Sequence, residues 1–142
     1  MTLSLEQISD RLEIQELISR YSHAIDTRSF DDAVALFTSD GTLDYTATGG
    51  PAGDRKSVLD YIAGAMSPLK MSQHQVATSA ITLAGDTATA RSICHVSMEP
   101  QGEDSPVFFS GLLYLDTFAR APEGWRFSDR RVAEPWFSRP AG

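Results

Sequence analysis

The stretch KMSQHQVATSAITLAGDTATARSICHVSM, residues 70–98, is rich in small and β-branched residues and is interrupted once, by Gly85 and Asp86. A two-residue Gly-Asp loop between two such runs is typical of a β-hairpin with a type II′ turn. Each of the two runs carries one of the chain's three histidines, His74 and His95. The stretch therefore predicts an antiparallel hairpin with an imidazole in each strand.

The register of this hairpin decides whether the two imidazoles meet. A regular turn at Gly85 places His74 opposite Ser97. The same register places Val76 opposite His95. Both imidazoles then lie on one face of the sheet as diagonal neighbours, about 7 Å apart at the backbone. We expect them to reach the same small molecule, provided that no β-bulge shifts the pairing.

Three segments in the first half of the chain predict helices. Ser4 and Gln7 match a capping box, and apolar residues then recur at helical spacing to about residue 26. Ser29 is a candidate N-cap for the segment FDDAVALF, which the turn-forming residues TSDG follow. Asp54 is a candidate N-cap for a helix that runs to about Met66.

The remaining segments predict strands, beginning with TLDYT. Four β-branched or alternating runs follow, at about 70–84, 87–99, 106–119 and 125–134. The segment VFFSGLLYLDTF is apolar on both alternations and contains Gly111, where a sheet can kink. Helices followed by antiparallel strands indicate an α+β fold. We predict one domain, residues 1–142, in which a curved antiparallel sheet wraps around the N-terminal helices as a cone with a central pocket.

Composition limits the classes of partner. Twelve Lys and Arg residues against nineteen Asp and Glu give a net charge of -7, and no basic run is present to follow a phosphate backbone. No apolar run approaches the roughly 20 residues that a membrane-spanning helix needs. We therefore expect neither nucleic acid nor a membrane as a partner. The absence of a secretory pattern and the single cysteine, Cys94, favour a cytoplasmic location.

Asp26 is the candidate third member of the site. It lies near the C-terminal end of the first helix, at the flank of the apolar stripe, where the helix dipole disfavours a negative charge. A protonated imidazole, from His74 or His95, would offset this cost. The alternative is that Asp26 begins a solvent-exposed turn. Tyr45 is either a core residue or a hydrogen-bond donor to the pocket.

A metal site is a further alternative, because His74, His95 and Asp26 match the two-histidine, one-carboxylate set that holds iron. The spacing of these residues is not that of a local metal motif, so we do not expect a metal. His23 lies opposite the apolar stripe and is predicted to be a solvated surface residue. Cys94 and its neighbour His95 face opposite sides of a strand, so Cys94 is predicted to be a small core residue.

Four segments carry a resemblance to a known family: EIQELISRYSHAIDTRSFDDAVALFTSDGTLDY, SQHQVAT, ICHVSM and YLDTFARAPEGWRFSDRRV. In this order and spacing they resemble the SnoaL-like branch of the nuclear transport factor 2 superfamily, nearest to the scytalone dehydratase and hexachlorocyclohexane dehydrochlorinase type. The resemblance implies the cystatin-like α+β cone with a deep pocket, no cofactor, and a homodimer or homotrimer.

The resemblance also implies roles for individual residues. Asp26 matches the aspartate that these enzymes place after the first helix, and His74 matches their general base. His95 matches a second histidine of the dehydratase, and Tyr45 matches its water-holding tyrosine.

Other positions depart from the dehydratase, which has another tyrosine at the position of Ile25, and serine and asparagine at those of Leu112 and Tyr114. The substrate contacts are therefore expected to differ. The residues that we expect to line the pocket are Tyr21, Val76, Leu112, Tyr114 and Trp136.

These observations predict a lyase that removes a proton next to an activating group and expels water or a similar leaving group from a small hydrophobic cyclic substrate. Two alternatives within enzymes are an isomerase and an epoxide hydrolase, the latter with Asp116 and Arg91 as candidates. A non-catalytic subunit, like the β subunits of aromatic-ring dioxygenases, is the alternative from another class. The C-terminal segment EPWFSRPAG either closes the pocket with Trp136 and Phe137 or packs on a neighbouring subunit.

Overall fold

The computed structural model describes residues 2–138. The α-helices in this part of the chain are α1 (Leu5–Asp26), α2 (Phe30–Ala35) and α3 (Arg55–Met66). A short 3-10 turn spans Thr46–Thr48. The strands are β1 (Phe37–Asp44), β2 (Ala52–Asp54), β3 (Leu69–Val76), β4 (Ala80–Ala84), β5 (Thr87–Pro100), β6 (Phe108–Ala121) and β7 (Gly124–Phe137).

The ends of the two long helices follow from their capping residues. In α1 the Ser4 hydroxyl accepts from the Gln7 N–H at 3.1 Å, and the Gln7 side chain accepts from the Ser4 N–H at 2.9 Å. The Asp54 carboxylate caps α3, as predicted, by accepting from the N–H of Ser57 at 2.9 Å. Ser29 stands at the start of α2, but its hydroxyl bonds the hydroxyl of Thr27 and caps nothing. None of the described helices combines the length and the apolar character needed to cross a membrane.

The strands form one curved, open sheet in the order β2-β1-β7-β6-β5-β3, with β4 pairing with the other half of β5. The α+β architecture is the predicted one. The sheet is mixed rather than purely antiparallel, however, because β1 runs parallel to β7. The predicted long strand over 70–84 is divided into β3 and β4.

The segment TSDG, predicted to be a turn, lies within β1. The pairing of β1 with β7 shifts between Phe37 and Thr42, as a β-bulge does. A Cβ atom added at Gly41 would lie 2.9 Å from the Cβ of Phe37, so this position needs a glycine. The glycine that suggested a turn therefore permits a bulged strand.

Helix α1 packs against β3 and β7 across one face of the sheet, called the inner face here. Its buried stripe includes Ile14, Leu17, Ile18, Tyr21 and Ile25. The sheet contributes large buried side chains from β6 and β7, including Tyr114, Phe118, Trp125 and Phe127. The opposite, outer face of the sheet carries most of the exposed side chains of β5.

Asp10 fixes the first half of α1 to the β6–β7 hairpin. Its carboxylate accepts two bonds from Arg120, at 2.7 and 3.0 Å, and one from the indole N–H of Trp125, at 2.9 Å. The hydrogen bonds from Arg120 hold the pKa of Asp10 below its usual value. This anchoring sets the position of α1, and therefore of Asp26 at its C-terminal end.

Candidate active site

Asp26 and His74 form a hydrogen-bonded pair at the inner face. The last residue of α1 meets the middle of β3, where His74 Nδ1 lies 2.6 Å from Asp26 Oδ1. The backbone N–H of His74 donates to Asp26 Oδ2 at 2.8 Å. The side chains are mostly enclosed, with 9% of His74 and 19% of Asp26 exposed. Both oxygens of the carboxylate are thus bound to one residue of the sheet, which fixes the orientation of the pair.

Two more residues complete the surroundings of the Asp26 carboxylate. The hydroxyl of Ser72, on the same face of β3, donates to Asp26 Oδ1 at 2.9 Å. Arg28 Nη1 in turn donates to that hydroxyl at 2.9 Å. Burial alone would raise the pKa of Asp26, but the bonds from His74 and Ser72 hold it below its usual value. The carboxylate is therefore ionised near neutral pH and acts only as an acceptor, so His74 Nδ1 donates the proton of their hydrogen bond.

His95 does not join this pair. β4 pairs with β5 in the predicted register, but β3 is shifted by one residue, so that His74 lies opposite Val96 and Gln75 opposite His95. The irregular segment 77–79 between β3 and β4 absorbs the shift. A shift of one residue moves a side chain to the other face of a sheet. His95 is exposed on the outer face, and the prediction that the two histidines share a face is wrong.

Trp136 also lies on the outer face. Its ring meets the His95 ring edge to face, with centroids 5.7 Å apart. Its indole covers Gly111, where an added Cβ would lie 2.2 Å from the ring. The prediction that Trp136 lines the central pocket is therefore wrong, because the missing side chain of Gly111 leaves room for the indole on the outer face. Phe137 pairs with Ser110, in the row of partners that continues to Val96 and His74.

Val76 and Leu112 lie on the inner face, as expected. Both are opposite Cys94, from the strands on either side of it, and both are partly buried against the core. Cys94 is fully buried, and burial raises the pKa of its thiol to about 11. The thiol is therefore protonated and unreactive, which agrees with the prediction of a core cysteine.

Three tyrosines meet on the inner face, where Tyr114 lies next to Cys94. The hydroxyls of Tyr21 and Tyr45 are 2.6 Å apart, and Tyr114 packs edge to face on Tyr21 and lies beside Tyr45. Tyr21 and Tyr114 are fully buried, and Tyr45 is partly exposed. Burial raises the pKa of all three hydroxyls well above the ordinary value. They are therefore permanent hydrogen-bond donors at physiological pH.

A buried ion pair lies against the tyrosines. Arg130 Nε and Nη2 donate to the two oxygens of Asp116 at 2.7 and 2.9 Å, and both side chains are 0% exposed. The guanidinium carbon stacks 3.7 Å from the ring centre of Tyr114 and 4.4 Å from that of Tyr21. Arg130 Nη1 has no hydrogen-bond partner among the described residues. The inner face thus encloses a buried cation, one nitrogen of which has no partner among the described residues, and the sequence patterns do not predict this pair.

The arrangement does not support the metal alternative. An iron site of His74, His95 and Asp26 would need His95 on the inner face, and His95 lies on the outer face of the sheet. Among residues 2–138 no three His, Cys, Asp or Glu side chains come together as a metal site would require. His23 is exposed on α1, as predicted.

A separate groove of about 710 Å³ runs along the side of α1 that faces away from this pair, between α2 and the start of β7. Its lining includes Glu16 and Arg20, which pair with each other. Neither Asp26 nor His74 lines it.

Comparison with known proteins agrees with the sequence resemblance. The model of the SnoaL-like domain family matches residues 6–131. An uncharacterized protein of Mycobacterium tuberculosis, Rv2910c, is 40% identical over 137 residues, which cover 96% of this chain and 92% of that protein.

Two solved structures share the fold. A hexachlorocyclohexane dehydrochlorinase, LinA Type2, superposes with a TM-score of 0.83 and 18% identity, covering 97% of this chain and 93% of that one. A candidate scytalone dehydratase of Novosphingobium aromaticivorans gives a TM-score of 0.80 and 19% identity, with 95% and 91% covered. At this level of identity the likeness concerns the fold alone.

Proposed function

Because the chain belongs to the SnoaL-like family, we propose that it is a lyase that acts without a cofactor on a small, hydrophobic, cyclic substrate. The hydrogen bond between His74 and an ionised Asp26 on the inner face carries the proposal. This pair supplies an oriented neutral imidazole, which is what proton removal from carbon needs. The names of two proteins of the same fold, a dehydrochlorinase and a candidate dehydratase, point to the same class of reaction.

In the proposed reaction His74 Nε2 removes a proton from a carbon next to an activating group. The electron pair of that C–H bond forms the new double bond, and the bond to the leaving group breaks with its electrons. Asp26 stabilises the imidazolium that results, because it stays negative and accepts from Nδ1 throughout. His74 then releases its proton to the departing oxygen or to solvent.

The negative charge that develops on the leaving group, or on an enolate, needs donors in an enclosed site. We assign this role to the hydroxyl of Tyr45 and to Arg130 Nη1, the buried nitrogen without a partner in the described part of the chain. Tyr21 and Tyr114 hold these two groups in place by packing and stacking. These donors take the place of His95, which lies on the outer face. Val76 and Leu112 are the apolar contacts that we expect for a ring.

A panel of hydroxylated cyclic ketones and halogenated rings tests this function. We expect the purified protein to release water or halide from at least one member and to form the unsaturated product, detected by mass spectrometry and by a halide electrode. The matched control is His74→Ala protein at the same concentration. Release at equal rates by both proteins, or by neither across the panel, would count against a lyase and favour a non-catalytic binding role.

The epoxide hydrolase alternative receives less support. It needs two aspartates bridged by an arginine, and Arg91 is exposed on the outer face. Asp116 bonds Arg130 instead, and no second carboxylate bonds that guanidinium among the described residues. Added epoxides in the same panel distinguish this activity, because they would give diols rather than unsaturated products.

We further propose that the chain acts in the cytoplasm as a homodimer or homotrimer, with the second copy on the outer face. Ile93, Phe109 and Trp136 form an outer apolar patch, exposed by 45%, 50% and 48%. Contiguous apolar surface of this kind marks interaction sites. The same patch contains Trp136, so it agrees with the alternative that the C-terminal segment packs on a neighbouring subunit. Residues 139–142 of that segment lie outside the described part of the chain.

Light scattering on a sizing column tests this assembly. The wild-type protein is expected to show two or three times the mass of one chain, and a Phe109→Glu, Trp136→Glu variant is expected to show a single chain, because two carboxylates cannot be buried against the same patch of a second copy. Thr117→Glu, an exposed change in β6 outside the patch, is the control that keeps the wild-type mass. A monomeric wild-type protein would contradict the proposal.

A further inference from the structure

Arg28 occupies an unusual backbone position. Helix α1 ends at Asp26 with Thr27 as its C-cap, and Arg28 follows with a φ of 62°. This left-handed conformation after a helix is most often taken by glycine, since a Cβ atom makes it unfavourable. An arginine at this position costs folding free energy relative to glycine. A role for the Arg28 side chain would account for its presence there.

The side chain of Arg28 reaches across to β3. Its Nη1 donates to the carbonyl of Ile25 at 2.8 Å and to the hydroxyl of Ser72 at 2.9 Å. Ser72 is 4% exposed, so this contact is enclosed. The hydroxyl of Ser72 lies 2.9 Å from Asp26 Oδ1.

The direction of these bonds follows from the chemistry of the groups. A guanidinium only donates, so the hydroxyl of Ser72 accepts from Arg28 and must give its single proton to Asp26. Asp26 Oδ1 then accepts from both Ser72 and His74 Nδ1. The carboxylate has no freedom to rotate, and a positive charge lies one hydroxyl group away from it.

We infer that Arg28 is a positioning residue, which acts through Ser72 to hold Asp26 ionised and turned toward His74. The inference rests on the proposed function and adds the residues that keep its base aligned. Arg28 does not touch the substrate in this account. A small misplacement of a base is costly, roughly 100-fold for about 1 Å, so groups that fix its partner contribute to the rate.

Arg28→Gly separates this role from a structural one. Glycine suits the left-handed backbone, so we expect the variant to melt at or above the wild-type temperature. The loss of the side chain is expected to lower kcat by roughly 10- to 100-fold with little change in KM, because the base and not the binding surface is disturbed. Arg28→Lys, which keeps a charged donor, is expected to recover part of the rate.

Ser72→Ala is the second variant, in case the loss of the Arg28 contact to the Ile25 carbonyl weakens the helix end. It removes the bond to Asp26 and leaves that carbonyl contact intact. We expect a loss of kcat in the same range as for Arg28→Gly. Arg20→Ala is the matched control, since Arg20 lies on α1 and is exposed in a surface pair with Glu16.

Proton NMR gives a readout that needs no substrate. The Nδ1 proton of His74, held by Asp26, is expected as a separate downfield signal in the wild type and in Arg20→Ala, and as a broadened or absent signal in Arg28→Gly and Ser72→Ala. An unchanged signal, or an unchanged kcat, in both variants would overturn the inference. If the signal is lost as expected but no panel compound reacts, the positioning stands and the proposed lyase function fails.

Discussion

Replacing His74 with alanine is expected to lower kcat for elimination by about 100 to 10,000-fold, the range that a positioned general base contributes. Alanine removes the only imidazole on the inner face of the described residues, and with it one of the hydrogen bonds to Asp26. The protein should still fold, because the His74 backbone N–H, which also bonds Asp26, is kept. The measurement is steady-state kinetics on whichever compound of the panel reacts.

His95→Ala is the matched control for this experiment. His95 lies on the neighbouring strand but on the outer face, so its loss is expected to leave kcat within about twofold of the wild type at a concentration where the oligomer is intact. Equal losses for the two variants would contradict the assignment of the inner face as the site. A wild-type rate in His74→Ala protein would show that His74 is not the general base.

Replacing Arg130 with methionine is expected to lower the free energy of unfolding by about 3–5 kcal/mol, because Asp116 is then a buried carboxylate without a partner. Burial already raises the pKa of Asp116 even with the pair intact. Urea denaturation at neutral pH measures the change. Arg131→Met, at the exposed neighbouring position, is the control and should cost no more than about 0.5 kcal/mol.

A double variant, Arg130→Met with Asp116→Leu, distinguishes the reason for this loss. Removing both charges avoids the unpaired carboxylate, so most of the lost stability should return. The elimination activity should not return, because the free Nη1 donor beside Tyr45 is still missing. A double variant as unstable as the single one would mean that the stacking of Arg130 on Tyr21 and Tyr114, rather than its charge, holds this region together.

Local signals in the sequence were sufficient for the helices. The capping box at Ser4 and the cap at Asp54 each depend on residues within one turn, so the boundaries of α1 and α3 were predicted closely. The strand conformation of the segment TSDG was not predicted, because its glycine suits either a turn or a β-bulge. Only the parallel pairing with β7, distant in the chain, makes it a strand.

The candidate site was predictable to the extent that it depends on single elements. Asp26 at the end of α1 and His74 on the inner face follow from the end of a helix and from strand alternation. The position of His95 depended on a register carried through residues 77–79, where the chain leaves the sheet and the pairing shifts. Alternation alone has no means of detecting that shift.

The buried pair of Asp116 and Arg130 was not predicted, again because a shift in strand register decides which residues pair. The β6–β7 hairpin begins with Ala121 opposite Gly124, and a regular register from there would place Asp116 opposite Asp129. A bulge between Thr117 and Phe118 instead places it opposite Arg130. The contact of Arg28 with Ser72 could not be predicted either, since the two residues are 44 positions apart in the chain.

Deuterium substitution in a reactive compound of the panel is the direct test of proton removal from carbon by His74. With deuterium at the carbon next to the activating group, we expect slower turnover by the wild-type protein and an unsaturated product from which that deuterium has been lost. A product that retains the deuterium at that carbon, or that His74→Ala protein forms at the wild-type rate, would show that His74 does not remove a proton from carbon.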